Sequence, residues 1–69
     1  MDKYTAIFKG DMYSAFIEKN MFSGYDLSIY KARQGRTPKH IFSQHFRSSL
    51  EAKMGLTDYL DGVEWSEQQ

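Results

Sequence analysis

Two stretches of regular alternation between apolar and polar side chains constrain this chain more than any other feature. Residues 13–19 and 25–30 each place every second side chain on one face, as a half-buried β-strand does. The apolar faces consist of Tyr13, Ala15 and Ile17 in the first stretch and Tyr25, Leu27 and Ile29 in the second. Because an α-helix repeats every 3.6 residues rather than every two, these stretches predict a sheet.

A third strand is predicted before these two. Residues 4–9 are rich in aromatic and β-branched side chains, and Gly10 follows them as a turn residue. Residues 20–24 contain Asn, Ser and Gly, which favour a second turn. Since parallel neighbours need long crossover connections, the short loops predict three antiparallel strands joined as a meander.

Residues 33–62 are compatible with two interpretations. In the first, Thr37 caps a helix that has Pro38 at its first position and ends at Gly55. Its apolar stripe is Phe42, Phe46, Leu50 and Met54.

In the second interpretation, residues 34–38 form a loop and residues 39–46 form a fourth strand. Ser48 and Glu51 then make a capping box that opens a helix running to about Asp61, with Gly62 as its cap. This arrangement is slightly favoured over the first.

Both interpretations predict an α+β fold, a small antiparallel sheet of three to four strands with one helix packed on it. We expect a single globular domain over residues 1–69, with the last four or so residues frayed and Trp65 holding the tail to the domain. A chain this short buries only about 60% of its unfolded surface. Cysteine is absent, so eleven aromatic side chains must supply much of the core.

The formal net charge is zero, with nine basic and nine acidic side chains, but the charges are segregated along the chain. Residues 1–26 carry three basic and four acidic side chains. Residues 27–50 carry five basic side chains and no acid, and residues 51–69 carry one basic and five acidic side chains. This segregation concerns partners rather than fold. It leaves open whether the basic middle and the acidic end lie in contact.

The sequence contains little that indicates catalysis. His40 and His45 are five residues apart, which predicts opposite faces of a strand and argues against a shared metal ion. The glycines are isolated and the serines lack a nucleophile motif. We therefore expect no enzyme activity, no catalytic residue, no metal and no cofactor.

Residues 31–39 form a candidate nucleic-acid-binding loop. Basic side chains can neutralise phosphates, and the neighbouring Tyr30 and Phe42 could stack on unpaired bases. The candidate contacts are Lys31, Arg33, Arg36, Lys39 and His40. A charged hairpin loop offset by the acidic end is the structural alternative.

Two other segments are candidates for binding a protein partner. Met21 and Phe22 occupy a predicted turn, where polar residues are usual, so they either form a contact surface or fold back over the sheet. The acidic end combines carboxylates with an aromatic ring and suits a basic protein surface. Its candidate contacts are Asp58, Asp61, Glu64 and Trp65.

In size and organisation the chain resembles the accessory inhibitor proteins of phages and mobile elements, anti-CRISPR and anti-restriction proteins among them. We therefore expect a small non-catalytic cytoplasmic module that occupies a site on a larger partner protein. The resemblance implies a nucleic-acid-handling host complex as that partner. Direct nucleic-acid binding is the alternative, and a homodimer formed across a strand edge is a third arrangement. No signal segment or membrane association is expected.

Overall fold

The computed structural model describes residues 1–60 and 62–68, which form one helix packed on a five-stranded antiparallel sheet. The strands are β1 (Asp2–Phe8), β2 (Asp11–Lys19), β3 (Tyr25–Ala32), β4 (Lys39–Phe46) and β5 (Ser66–Gln68), and helix α1 is Ser49–Tyr59. Their order across the sheet is β4, β3, β2, β1, β5. The predicted α+β class and the antiparallel meander are therefore confirmed.

Alternation determines which side of the sheet is buried. In β2 and β3 the side chains of Ala15, Ile17, Leu27 and Ile29 are almost fully buried beneath α1. We call this side the core face and the opposite side the open face. The rest of the core comprises Tyr4, Ala6, Tyr13, Ala52 and Leu56. The predicted buried faces of both alternating stretches are thus confirmed, with Tyr25 only partly buried.

Two tight turns depend on residues with positive φ. Lys9 and Gly10 both have positive φ (51° and 84°) between the paired residues Phe8 and Asp11. This is the type I′ geometry that matches strand twist in a two-residue hairpin. In the β3–β4 connection, the Arg36 amide donates to the Arg33 carbonyl at 2.9 Å, with Gly35 at φ 76°. This is a type II turn.

The second interpretation of residues 33–62 is correct for strand β4 and for the start of the helix, whereas the predicted cap at Gly62 is wrong because the helix is already capped at Leu60. Residues 39–46 are strand β4, and the Ser48 hydroxyl accepts a hydrogen bond from the Glu51 amide at 3.2 Å to cap α1. Glu51 in turn accepts from the Arg47 amide at 3.3 Å. The helix ends at Tyr59, earlier than expected, because Leu60 is already extended.

The expectation that the last four residues fray is corrected for three of them. Ser66–Gln68 pair with Thr5–Lys3 as an added strand, and the Gln68 side chain donates to the Thr5 hydroxyl at 3.0 Å. Gln69 lies outside the described residues. The exposed edge of β1 supplies the unpaired backbone groups that this polar tripeptide satisfies. Trp65, just before β5, packs against the core and meets the Tyr13 ring edge-on at 6.5 Å, as its predicted tethering role requires.

Candidate binding surfaces

The β2–β3 connection, Asn20–Gly24, projects two apolar side chains into solvent, and we call it the hairpin tip. Met21 is 89% exposed and Phe22 is 90% exposed. The alternative in which they fold back over the sheet is therefore wrong. Leaving Met21 and Phe22 in water forgoes the free energy that burying them would give. Exposed apolar side chains of this size are typical of contact surfaces.

Side-chain hydrogen bonds order the hairpin tip from within. The Asn20 carbonyl oxygen Oδ1 accepts from the Phe22 amide at 2.8 Å and from the Ser23 amide at 3.4 Å. The backbone amide of Asn20 donates to the Gly24 carbonyl at 2.8 Å. The bond from the Phe22 amide to Oδ1 forms an Asx turn, in which the Asn side chain replaces a backbone acceptor, and the backbone bond to Gly24 closes the loop. The loop therefore has a defined conformation although its apolar side chains are exposed.

A second set of contacts anchors the hairpin tip to the strands. Asn20 Nδ2 donates to Asp26 Oδ2 at 2.7 Å, and Asp26 Oδ1 lies 2.8 Å from His45 Nδ1 on β4. The hydrogen bond with His45 and then that from Asn20 lower the pKa of Asp26 below its usual value, because both stabilise the carboxylate. The network links the tip to β3 and β4.

Gly24 closes the hairpin tip against the end of β4. Its φ is 76°, and a Cβ at this position would collide with the carbonyl oxygen of Phe46 and the ring of His45. Both the conformation and the space therefore require glycine. The loop is packed at its base and exposed only at its apex.

The structure separates the acidic end from the hairpin tip. Asp58 and Glu64 are exposed, but α1 ends before Glu64, so the two do not line one helical face. The helix begins beside the tip end of β4 and runs away from it, so Asp58 lies next to Tyr59, which packs on Phe42 in the middle of β4. Trp65 is half-buried in the core, and Asp61 lies outside the described residues. Among the described residues of the predicted acidic surface, Trp65 therefore belongs to the core rather than to an exposed contact patch.

The basic loop, residues 31–39, forms ion pairs with Asp11 of β2 and not with the described residues of the acidic end, residues 51–69. Lys31 Nζ lies 3.4 Å and Arg33 Nε lies 3.9 Å from the carboxylate of Asp11. Hydrogen bonding with Asp11, the largest contribution, raises the pKa of Lys31. Within residues 1–60 and 62–68, Arg36 and Lys39 make no ion pair. The described acids of the C-terminal segment thus do not neutralise the basic middle.

His40 and His45 lie on the same face of the sheet, which corrects the prediction of opposite faces. The register of β3 against β4 shifts at Ile29 and Tyr30, so Ile41 is an extra residue in β4. This bulge resets the alternation. His40 therefore lies opposite Tyr30 and His45 opposite Asp26, both on the open face. In the part of the chain that the structure describes, no three His, Asp or Glu side chains are grouped to hold a metal ion.

A row of side chains crosses the open face from β1 to β4, and we call it the aromatic row. Lys3 Nζ lies 5.7 Å from the centre of the Phe16 ring, Phe16 meets Tyr30 edge-on at 5.8 Å, and Tyr30 lies 5.2 Å from the His40 ring. Phe42, expected beside Tyr30, instead packs on the core face against Tyr59 at 4.7 Å. The sequence indicated this row only through Phe16 and Tyr30, which are aromatic residues at polar positions of the alternation. No sequence pattern indicated Lys3.

Two shallow depressions lie on the open face, one around the aromatic row and one beside the basic loop. The larger, about 610 Å³, has Phe16 and Tyr30 in its lining together with small polar side chains, Lys3 and Pro38. The smaller, about 500 Å³, lies at the end of the sheet where Ile7 and Met12 are exposed beside the basic loop. Both therefore border residues 31–39.

Comparisons of this chain with family models, curated proteins and solved structures found no match. No helix among the described residues is long and apolar enough to cross a membrane.

Proposed function

We propose that this chain is a small non-catalytic binding module that docks on a larger protein through the hairpin tip. The observation that supports the proposal most directly is the exposure of Met21 and Phe22 on a loop held by Asn20 and packed against β4. An exposed aromatic anchor that is already ordered loses little conformational entropy on binding. The unbranched methionine beside it adapts its shape to the partner.

The chemistry of the tip specifies the kind of partner surface. Phe22 and Met21 require an apolar pocket, and no ionised side chain lies within Asn20–Gly24. Leu50, in the first turn of α1 just after the tip end of β4, is 66% exposed and is a further apolar side chain available to such a partner. A specific interface needs about 800 Å² from each partner, so the tip serves as the anchor of a larger contact.

The resemblance in size and organisation to phage and mobile-element inhibitors supports one form of this function. In that form the module blocks a site on a nucleic-acid-handling complex of the host. An anchor that inserts into a pocket is a suitable device for such obstruction, because it displaces whatever the pocket normally binds.

The proposal is tested by photo-crosslinking followed by measurement of affinity. A benzophenone analogue of phenylalanine replaces Phe22 in one variant and Ile7 in a matched control, which is 74% exposed on the open face. We expect position 22 to capture a protein that position 7 does not. With that protein purified, Phe22→Ala should weaken binding by about 30-fold or more, the usual effect at an interface anchor.

Met12→Ala is the control for loss of an exposed methionine, since Met12 is 51% exposed on another surface. It should leave the affinity unchanged. If the captured protein binds Met21→Ala and Phe22→Ala variants as tightly as the original chain, the tip is not the docking site and the proposal is wrong.

A further inference from the structure

The open face has the features of a binding surface independent of the hairpin tip. Helix α1 covers the other side of the sheet, and no described segment covers this one. Phe16 and Tyr30 on the two central strands are only partly buried there, within the larger depression. Aromatic rings on the uncovered side of a sheet present π-faces and edges to any flat ligand.

The charges around the aromatic row indicate an anionic ligand. Lys3 lies at one end of the row, and His40 lies at the other, following Arg36 in the basic loop. Lys39 is opposite Lys31, which pairs with the buried Tyr13, so its side chain belongs to the core face. Arg36 is exposed and, among the described residues, unpaired. Cations at both ends of a row of rings suit a chain that carries phosphates beside flat bases.

The acids on the open face restrict the path of such a ligand. Glu18 and Asp26 line the same depression on the side toward the hairpin tip, and Asp26 is already engaged by His45 and Asn20. Phosphates are repelled from that side and attracted toward the loop. The acidic side chain Asp58 belongs to α1, on the other side of the sheet, and neither Asp58 nor Glu64 lines the depression that holds the aromatic row.

We propose that the open face binds single-stranded nucleic acid, with bases stacked on Phe16 and Tyr30 and phosphates contacted by Lys3 and Arg36. Unpaired bases are required because the rings of a stacked duplex are not accessible to side chains on a flat sheet. The row crosses four strands spaced about 4.8 Å apart, which spans roughly 14 Å and accommodates only a short segment. The inference does not depend on what binds the hairpin tip.

The experiment measures binding of fluorescently labelled single-stranded DNA and RNA of mixed sequence by anisotropy at low salt, with the matching duplex as comparison. Phe16→Leu and Tyr30→Leu keep apolar bulk on the face and remove the aromatic ring. Each should weaken binding by about 5- to 150-fold, the range expected for loss of one stacked base. Phe22→Leu removes a ring from the hairpin tip and should have no effect.

The basic side chains have a separate readout. Arg36→Gln should reduce the slope of log affinity against log salt by about 0.7, because each phosphate contact on a single strand releases that share of a counterion. Lys39→Gln, on the core face, is the matched control and should change the slope less. Circular dichroism checks that each variant is folded. Amide chemical shifts of the unmodified chain, recorded with the oligonucleotide, give a test without variants, and they should change at Ser14 and Ser28 beside the rings and not along α1.

Three outcomes would overturn the inference. The first is no single-strand binding at low salt. The second is binding that the ring substitutions leave unchanged or that favours the duplex. The third is sedimentation showing a dimer that Phe16→Leu and Tyr30→Leu dissociate, since the open face is then covered by a second copy of the chain.

Discussion

The hairpin tip and the basic loop each contain a glycine with positive φ, but they differ in how closely other residues pack around that glycine. Gly24 and Gly35 both have φ near 76°. Around Gly24 the Phe46 carbonyl and the His45 ring leave no room for a Cβ, whereas nothing among the described residues lies within 4 Å of a Cβ at Gly35. Positive φ thus sets the direction of both turns, but only the hairpin tip is also held in place by packing against β4.

This difference matches the chemistry that each loop presents. Apolar anchors gain affinity when they are held in place, because the entropy of ordering them is lost on folding rather than on binding. Cations attract phosphates over several ångströms and need less support. The hairpin tip, which is packed against β4, carries Met21 and Phe22. The basic loop, which has free space around Gly35, carries Arg36. The two proposed functions therefore use different kinds of loop.

Replacing each glycine by alanine tests the comparison with the largest expected effect. Gly35→Ala should cost about 1 to 2 kcal/mol of unfolding free energy, the strain of a left-handed residue that has a Cβ. Gly24→Ala adds a collision with backbone, so we expect about 3 kcal/mol or more. A domain of 69 residues has only about 3 to 10 kcal/mol of stability, so this variant approaches unfolding.

Urea denaturation of both variants gives the measurement. Because the two residues share the same φ, the difference between the variants reports packing alone. Equal costs at the two positions would show that the hairpin tip is no better supported than the basic loop.

A smaller effect is expected from the side chains that order each loop. Asn20→Ala removes acceptors for the Phe22 and Ser23 amides and a donor to Asp26, and should cost about 1 kcal/mol because the bonds are partly exposed. Gln34→Ala, in the basic loop, should change stability by less than about 0.5 kcal/mol. Amide hydrogen exchange at residues 22 and 23 should accelerate only in Asn20→Ala. Unchanged exchange there would mean that the Asx turn does not hold the tip.

The smallest effect is a pH dependence at Asp26. Its pKa is lowered in the folded chain by His45 and Asn20, so the unfolded chain takes up its proton first as pH falls. The stabilisation is complete above the ordinary Asp pKa of about 3.9 and is lost as pH falls from there through the folded-state pKa. The unfolding free energy of the original chain should approach that of Asp26→Asn over this range. A difference that stays constant below pH 4 would contradict the contact with His45.

Much of the fold follows from local patterns. Alternation in residues 13–19 and 25–30 assigned the buried faces, since burial on a sheet has a period of two. Ser48 and Glu51 marked the start of α1, because capping requires only neighbouring backbone amides. The strand β5 was missed because Ser66–Gln68 is polar and becomes a strand only when the edge of β1 is available.

The candidate binding surfaces depended more on distant contacts. The sequence indicated Met21 and Phe22 as unusual turn residues, but their exposure follows from Asn20 and from β4, which is nearly twenty residues further along the chain. His40 and His45 share a face only because of the bulge at Ile41, which alternation alone did not predict. The aromatic row likewise requires the register of four strands.

The segregation of charge along the chain is a property of the sequence, with a basic middle and an acidic end that sum to zero. Tertiary structure decided that the described charges of the two segments do not pair. The basic loop joins β3 to β4 at one edge of the sheet, whereas β5 carries Glu67 at the other edge. Strand order brings Asp11 to Lys31 and places Glu67 at the opposite edge of the sheet, because residues far apart in sequence meet only where the topology places them.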